Sequence, residues 1–225
     1  MLRNKQLLVN FSGGKDSTAL LLNLLEKGYQ VDKVLRVDFG TEYPEMYKHI
    51  QDVEKYVKEK YSFVEFVTID LKEKWIYGLQ NYGYPHFGLR WCTGYKVHAL
   101  EHILDDGECY HAIGIAFDES HRMSKAHKKN RTNIYPLVDW GMTEKDCLNY
   151  CKSKGFSFYG LYKQRSRVSC FCCPFNRNID TILMPNELIE KIHYYESICN
   201  PMYNKCYDKE SFDERRKRLE FKLKR

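Results

Sequence analysis

Along the first half of the chain, apolar positions switch between two spacings. Gln6 to Phe11 is an apolar run of strand length, broken by Ser12-Gly13-Gly14. Asp16-Ser17 then opens a stretch whose apolar residues, Ala19, Leu20, Leu22, Leu24 and Leu25, continue to Gly28, which suits the residue just past a helix end. The pattern predicts a strand, a glycine turn and a helix. Lys33 to Phe39 predicts a second strand that ends at Asp38-Phe39-Gly40. Pro44 fits the first turn of a second helix, in which Met46, Ile50, Val53 and Val57 recur at helical spacing. Phe63 to Ile69, rich in β-branched and aromatic residues, predicts a third strand.

Residues 72–94 read as irregular, with Trp75, Tyr77, Tyr82, Tyr84, Phe87 and Trp91 set among glycines. A helix is expected over Tyr95 to Leu104 and a fourth strand over Cys109 to Ile115. After a basic polar loop, Asp118 to Arg131, come a short apolar stretch, Ile134 to Val138, and a helix opened by Thr143 with Asp146 three residues on. The last third reads as helical and loop-rich and closes on a charged helix, Phe212 to Leu223. Strands alternating with helices argue an α/β fold, a parallel sheet with right-handed crossovers.

Composition narrows the class. The 225 residues are 43% hydrophobic, which is enough for a core and argues against disorder. No apolar run approaches the roughly 20 residues of a membrane span. The residues after Met1 do not read as a signal peptide, so no membrane partner is expected. The net charge of +6 is mild over this length. Nine cysteines, an odd number, argue against a disulfide scaffold and for a reducing, cytoplasmic setting.

Ser12-Gly13-Gly14-Lys15-Asp16-Ser17 lies between a strand and a helix, the context in which a glycine turn binds anions. Glycines let backbone amides approach a phosphate, and the helix N-terminus adds unpaired N–H groups and partial positive charge. Ser12 and Ser17 can donate hydroxyl hydrogen bonds, and Lys15 can add charge. Neither G-x-x-x-x-G-K-[ST] nor G-x-G-x-x-G is present. A plain turn with a serine cap is the alternative. The phosphate reading requires that these amides not already be bonded within the protein.

The hexapeptide resembles the SGG-x-DS pyrophosphate loop of the N-type ATP pyrophosphatases. Four further segments narrow the likeness to the phosphoadenylyl-sulfate (PAPS) reductase branch. They are Asp38 to Glu45 (D-T-G-x-x-F-P-E), Gly114 to Arg122 (G-x-R-x-x-E-S-x-x-R), Tyr135 to Tyr150 (P-L-x-x-W-T-x-x-D-V-x-x-Y) and Arg167 to Pro174 (R-x-G-C-x-x-C-P). The resemblance runs over residues 5 to 178 and implies an adenine-nucleotide α-hydrolase-like, Rossmann-like domain over 1–178, with a helical extension over 179–225.

It implies an enzyme that binds an adenine nucleotide (ATP or a PAPS- or APS-type sulfonucleotide) and carries out sulfur or adenylyl transfer. Ser12, Gly13, Gly14, Lys15, Asp16 and Ser17 would hold the phosphates, with Lys15, Asp16 and Ser17 acting in catalysis. Asp16 would orient Mg2+ or cap the loop. Asp38, Gly114, Glu119 and Arg122 would complete the nucleotide site at the strand ends, Arg122 as an oxyanion clamp, since its planar fork suits phosphate. For Asp38 a turn cap is the alternative, and for Arg122 a solvated charge.

Cys170-x-x-Cys173 has chelating spacing, and the resemblance adds Cys92 upstream. These three thiolates suit zinc or a [4Fe–4S] cluster. Cys172 is the contender for a fourth place, with Cys109 the other, although adjacency argues for a packed Cys172. Reduced, buried thiols are the alternative reading. Two features depart from the sulfonucleotide reductases: Cys92-Thr93 stands where some carry Cys-Cys, and no E-C-G-x-H segment is present, which leaves Cys206 a weak candidate nucleophile. The basic residues of the His121 to Arg131 loop, with Lys163, Arg165 and Arg167, suit either a nucleic-acid substrate or a small sulfonucleotide, and a solvated loop with surface charges is the alternative. A nucleotide- or nucleic-acid-binding subunit without turnover is the competing function. Oligomeric state is not legible.

Overall fold

A computed structural model describes residues 5–86, 88–102, 109–123, 132–203, 205–207 and 210–223. Strands β1 (Gln6–Asn10), β2 (Lys33–Asp38), β3 (Glu65–Asp70), β4 (Cys109–Ile113) and β5 (Asn133–Ile134) form one sheet in the order β3-β2-β1-β4-β5. β1 runs parallel to β2 and β4, and β4 to β5, with Leu8 in register with both Lys33 and His111. The chain builds outward from β1 on one side and then returns to add β4 and β5 on the other. The carboxyl ends of β1 and β4 therefore flank the switch point, where open α/β sheets bind ligands.

Two compact units are present. The first comprises Met1–Val37, Pro44–Ile69 and Leu100–Lys163 and carries the sheet apart from Asp38 and Asp70; the second comprises Asp38–Tyr43, Asp70–Ala99 and Gln164–Arg225. In the first unit, Leu7, Leu8 and Val9 of β1 are buried, as are Ala19 to Leu22, Leu24 and Leu25 of helix α1 (Lys15–Glu26). At about 1.5–3 kcal/mol for each fully buried leucine, α1 is anchored well enough to fix the turn before it. Helix α2 (Pro44–Lys60) buries Met46, His49, Ile50, Val53 and Val57, a single helical stripe.

The second unit corrects the sequence reading. Residues 72–94, expected to be irregular, contain helix α3 (Lys72–Tyr82), and helix α4 (Trp91–His102) starts four residues before Tyr95. The buried stripe of α3 is Trp75, Gly78 and Leu79, in which a glycine hides the helical period. A Cβ on Gly78 would stand 2.4 Å from the Trp91 ring, so this glycine serves close packing and is not a helix breaker. The ring of Trp75 lies 5.1 Å from that of Trp91 and 5.8 Å from that of Tyr195. Trp75, Tyr84 and Trp91, three of the aromatic residues that suggested irregularity, are buried in the core of this unit, whereas Tyr77 and Tyr82 are exposed.

Beyond β5 come the short helix α5 (Pro136–Asp139) and α6 (Glu144–Ser153), followed in the second unit by α7 (Asn178–Ile182), α8 (Asn186–Ile198) and α9 (Phe212–Leu223). The cap expected at Thr143 is a full capping box, with Thr143 and Asp146 bonded reciprocally. α9 has the bounds that its charge pattern predicts. No described helix is long and apolar enough to cross a membrane.

Candidate functional site

At the switch point the chain turns from β1 into α1 through residues 12–17. Gly13 adopts a φ of +79°. Gly114, just past β4, is pressed so close that a Cβ there would lie 2.8 Å from Ser17 N and 2.9 Å from Ser17 Cα. Backbone has no room to yield, so glycine at 114 is what lets the first turn of α1 rest on the end of β4.

The loop amides are only partly open, which corrects the expectation of a free ring. Ser12 N–H donates to Ser17 Oγ (3.2 Å), Gly14 N–H reaches Ser12 Oγ at 3.4 Å, and Lys15 N–H donates to Tyr162 Oη (3.0 Å). The N–H groups of Asp16 and Ser17, in the first turn of α1, have no carbonyl partner within the helix, and no side chain caps α1. The Ser12 and Ser17 hydroxyls lie 3.1 Å apart, and Ser17 Oγ donates to Gly14 O.

Three carboxylates converge on this turn. Among the described residues, Asp16, Glu119 and Glu144 bring one oxygen each within 4.8 Å of one another. Lys15 is almost fully buried and sits among them, its Nζ 2.5 Å from Glu144 Oε1 and 3.2 Å from Asp16 Oδ2. Arg122 pairs with Glu119. Asp16 Oδ1 is buried without a hydrogen-bond partner. Burial raises the carboxyl of Asp16 above its ordinary value; Lys15 opposes the rise, and Glu144 and Glu119 add to it. The donor set is all oxygen, half-buried throughout and with one buried oxygen lacking a partner, which fits a hard divalent cation such as Mg2+. The Cys147 thiol near Asp16 is pushed up to about 12, chiefly by burial, and is a neutral S–H at pH 7.

Behind the loop stands His49, buried on α2. Thr18 Oγ1 donates to Gly13 O (3.3 Å), so it accepts from His49 Nε2–H at 3.1 Å. The imidazole stacks on Phe158 at 4.0 Å and meets the edge of Phe156 at 5.6 Å. Burial lowers its pKa to about 4, against a weak opposing effect of Asp52. His49, Glu144 and Tyr162 were not singled out from the sequence. An acid in the first turn after a capping threonine was a usable signal for Glu144, whereas Tyr162 meets the loop across 147 residues and leaves no local trace.

The second unit gathers the chelating cysteines. Cys170 Sγ lies 3.8 Å from Glu42 Oε1. Burial and Glu42 push the Cys170 thiol up to about 12; burial also raises Cys173, which feels Cys92. Burial works against the charge of Lys96, but Cys170, Glu42, Cys92 and Cys173 together outweigh it and raise its pKa. Cys92, Cys170 and Cys173 thus all act on the Lys96 ammonium together with Glu42, and no three ligating atoms among them lie within 4.8 Å of one another. Cys172 is fully buried; its carbonyl accepts from the equally buried Cys206 thiol (3.7 Å), and both thiols are pushed far up by burial. Cys206 is therefore a core residue, and Cys109 lies in the β4 core with Leu8 and Leu35.

The remaining expectations resolve unevenly. Asp38 closes a turn, its Oδ1 accepting Gly40 N–H at 2.9 Å. Arg165 is not a surface charge: it binds Asp180 and lies over the Tyr43 ring. Lys125, His127, Lys128, Lys129 and Arg131 fall outside the described residues.

The family model of the phosphoadenosine phosphosulfate reductase domain matches residues 6–201. An uncharacterized protein of Methanocaldococcus jannaschii, MJ0066, is 28% identical over 190 residues, 76% of this chain and 36% of that protein. The chain thus spans about a third of the length of that relative. Among solved structures, the U34-tRNA thiolase NcsA from Methanococcus maripaludis, with its [4Fe–4S] cluster, superposes with a TM-score of 0.51. That match is 16% identical and covers 98% of this chain and 73% of the thiolase, a likeness of fold.

Proposed function

The chain belongs to the phosphoadenosine phosphosulfate reductase domain family, and from that premise we propose that it is an ATP-dependent enzyme that activates RNA by adenylyl transfer for sulfur insertion. The observation that carries this reading is the trio Asp16, Glu119 and Glu144 at the N-terminus of α1. Carboxylates beside a phosphate cradle repel a bare triphosphate, so the arrangement makes sense for a nucleotide that arrives with a divalent cation. A Mg2+ held there would supply electrostatic stabilisation of the charge that builds on the leaving pyrophosphate.

The protein's own residues do the positioning. The Asp16 and Ser17 N–H groups and the helix N-terminus point at anionic oxygens. The Ser12 and Ser17 hydroxyls, now facing each other, can turn to donate. Lys15 supplies a cation within the same turn. The acceptor oxygen bonds to the α-phosphorus as the bond from that phosphorus to the bridging oxygen breaks, and pyrophosphate departs with the electron pair. Fixed dipoles are the larger contribution to such a step.

In the second unit, Cys92, Cys170 and Cys173 would hold a cluster, with Cys172 packed behind them. The three soft donors suit a [4Fe–4S] cluster, as in the thiolase that shares the fold, or a zinc ion. Such a group would supply sulfur chemistry that neutral, buried thiols do not. Support for RNA as the acceptor comes from the thiolase that shares the fold, which acts on tRNA, and from the basic balance of the chain.

A second reading, a binding subunit without turnover, is favoured by the hydrogen bond that ties Lys15 N–H to Tyr162. Pyrophosphate release from ATP and Mg2+, with and without bulk tRNA, separates the two. Turnover that falls at least a hundredfold in Asp16→Asn and Glu144→Gln supports the enzyme. ATP binding without pyrophosphate release under any condition leaves the binding subunit.

A further inference from the structure

After α6 the chain passes Gly155 and enters a segment with unusual backbone. Phe158 and Tyr159 both have positive φ, +53° and +50°, a left-handed conformation that bulky residues avoid. Consecutive strain of this kind is held in place by its surroundings and clusters at functional sites. Here it sends two rings opposite ways. Phe158 goes inward, 1% exposed, onto His49, while Tyr159 stays half exposed. Tyr159 Oη donates to Asp52 Oδ2 at 2.6 Å, and Lys48 Nζ lies 5.9 Å from the ring centre, so the exposed ring is fixed.

The same segment walls a cavity of about 530 Å3, within the size range of small-molecule sites. Its side chains are Phe156, Tyr159 and Tyr162, the ammonium-bearing Lys152 and Lys163, and Ser157. Lys152, Ser157 and Lys163 are exposed. The lining contains no carboxylate and none of residues 12–17. An aromatic face next to cations, with no acid in the lining and Asp52 engaged at the Tyr159 hydroxyl, matches a ligand that is itself a ring bearing an anion. Of its three hydroxyls, Tyr159 Oη is engaged with Asp52 and Tyr162 Oη with Lys15 N–H, which leaves Ser157 little to read a base edge, so recognition here rests on stacking and phosphate charge. The floor is tied to the phosphate loop, because Tyr162 Oη accepts Lys15 N–H.

We propose that this cavity docks one nucleotide of a single-stranded RNA, its base against the exposed Tyr159 ring and its phosphates against Lys152 and Lys163. The inference rests on the RNA reading of the proposed function and extends it to a site apart from the phosphate loop. It carries a second consequence: an RNA base that moves the Tyr162 ring frees the Lys15 amide for ATP, so the acceptor and the nucleotide favour each other's binding.

The test is fluorescence anisotropy of the full chain with a labelled single-stranded RNA of roughly a dozen nucleotides, alongside ATP titration. Tyr159→Ala is expected to weaken RNA binding about tenfold. Lys152→Glu with Lys163→Glu, both exposed and safe for folding, should weaken it further and flatten the salt dependence. Tyr159→Phe should bind as the parent does, and affinity for ATP alone should be unchanged in all three. RNA affinity unaltered in Tyr159→Ala and in the lysine pair overturns the pocket while leaving RNA as the acceptor. Displacement of the RNA by UMP or AMP at equal nucleotide concentration overturns it in favour of a small-nucleotide site. Absence of any RNA binding by the parent chain overturns both the pocket and the RNA acceptor.

Discussion

The phosphate loop and the cysteine group are built on opposite plans. The loop is made of backbone held by its neighbours: Gly114 sets its distance from β4, Ser12 and Ser17 brace it from within, and Thr18 and His49 support it from below. Its shape is complete without a ligand. The cysteine group is made of side chains that are unsettled alone: burial raises the Cys170 and Cys173 thiols, and a charged lysine feels them. The first plan predicts a site that fails when geometry is disturbed. The second predicts one that fails when a cation is missing.

The sharpest way to break this contrast is metal content. After anaerobic purification, Cys170→Ser should drop from a full complement of iron to none by elemental analysis and lose its visible absorption. Cys172→Ala should keep its iron and lose only stability. Equal loss in both would make Cys172 a ligand and end the distinction between the cluster face and the core.

Acid titration tests the support beneath the loop. His49 titrates near 4 in the fold against 6.5 when free, so the unfolded chain binds the extra proton between those values. Stability should rise with pH over that window. The contribution of roughly 3 kcal/mol is present in full above pH 6.5 and is lost as pH falls toward 4. Urea denaturation at several pH values reads the slope, and His49→Gln should flatten it. A slope that survives the substitution would assign it elsewhere.

Gly114→Ala should cost about 1–3 kcal/mol through overpacking against Ser17 and abolish ATP binding by displacing the first turn of α1. Calorimetric binding equal to the parent's would show that the loop tolerates a shift. The smallest effect belongs to the capping box, where Thr143→Ala should cost about 1 kcal/mol by thermal melting and leave iron content untouched. A loss of iron there would mean that the two plans are coupled.

Legibility in the sequence follows the same division. The loop, its strand, its helix and the Thr143 cap were readable because each is a local pattern of a few residues. So was the C-x-x-C spacing. Glu42, Lys96, Tyr162 and His49 were not, because each acts across a distance in sequence that no local period records. The helix at Lys72–Tyr82 was missed for a related reason: Gly78 obeys the ring of Trp91, not the propensity of its own helix. Arg165 looked like surface charge because its partner, Asp180, is 15 residues away.

The position of Lys15 has one more implication. Its ammonium already lies against two of the acids, Asp16 and Glu144, so under the proposed function it would have to move before a divalent ion could enter. Entry and departure would then be an exchange of one cation for another, with the displaced lysine free to turn toward the phosphates. A chelator should therefore empty this site without unfolding the protein, since the lysine returns to its place.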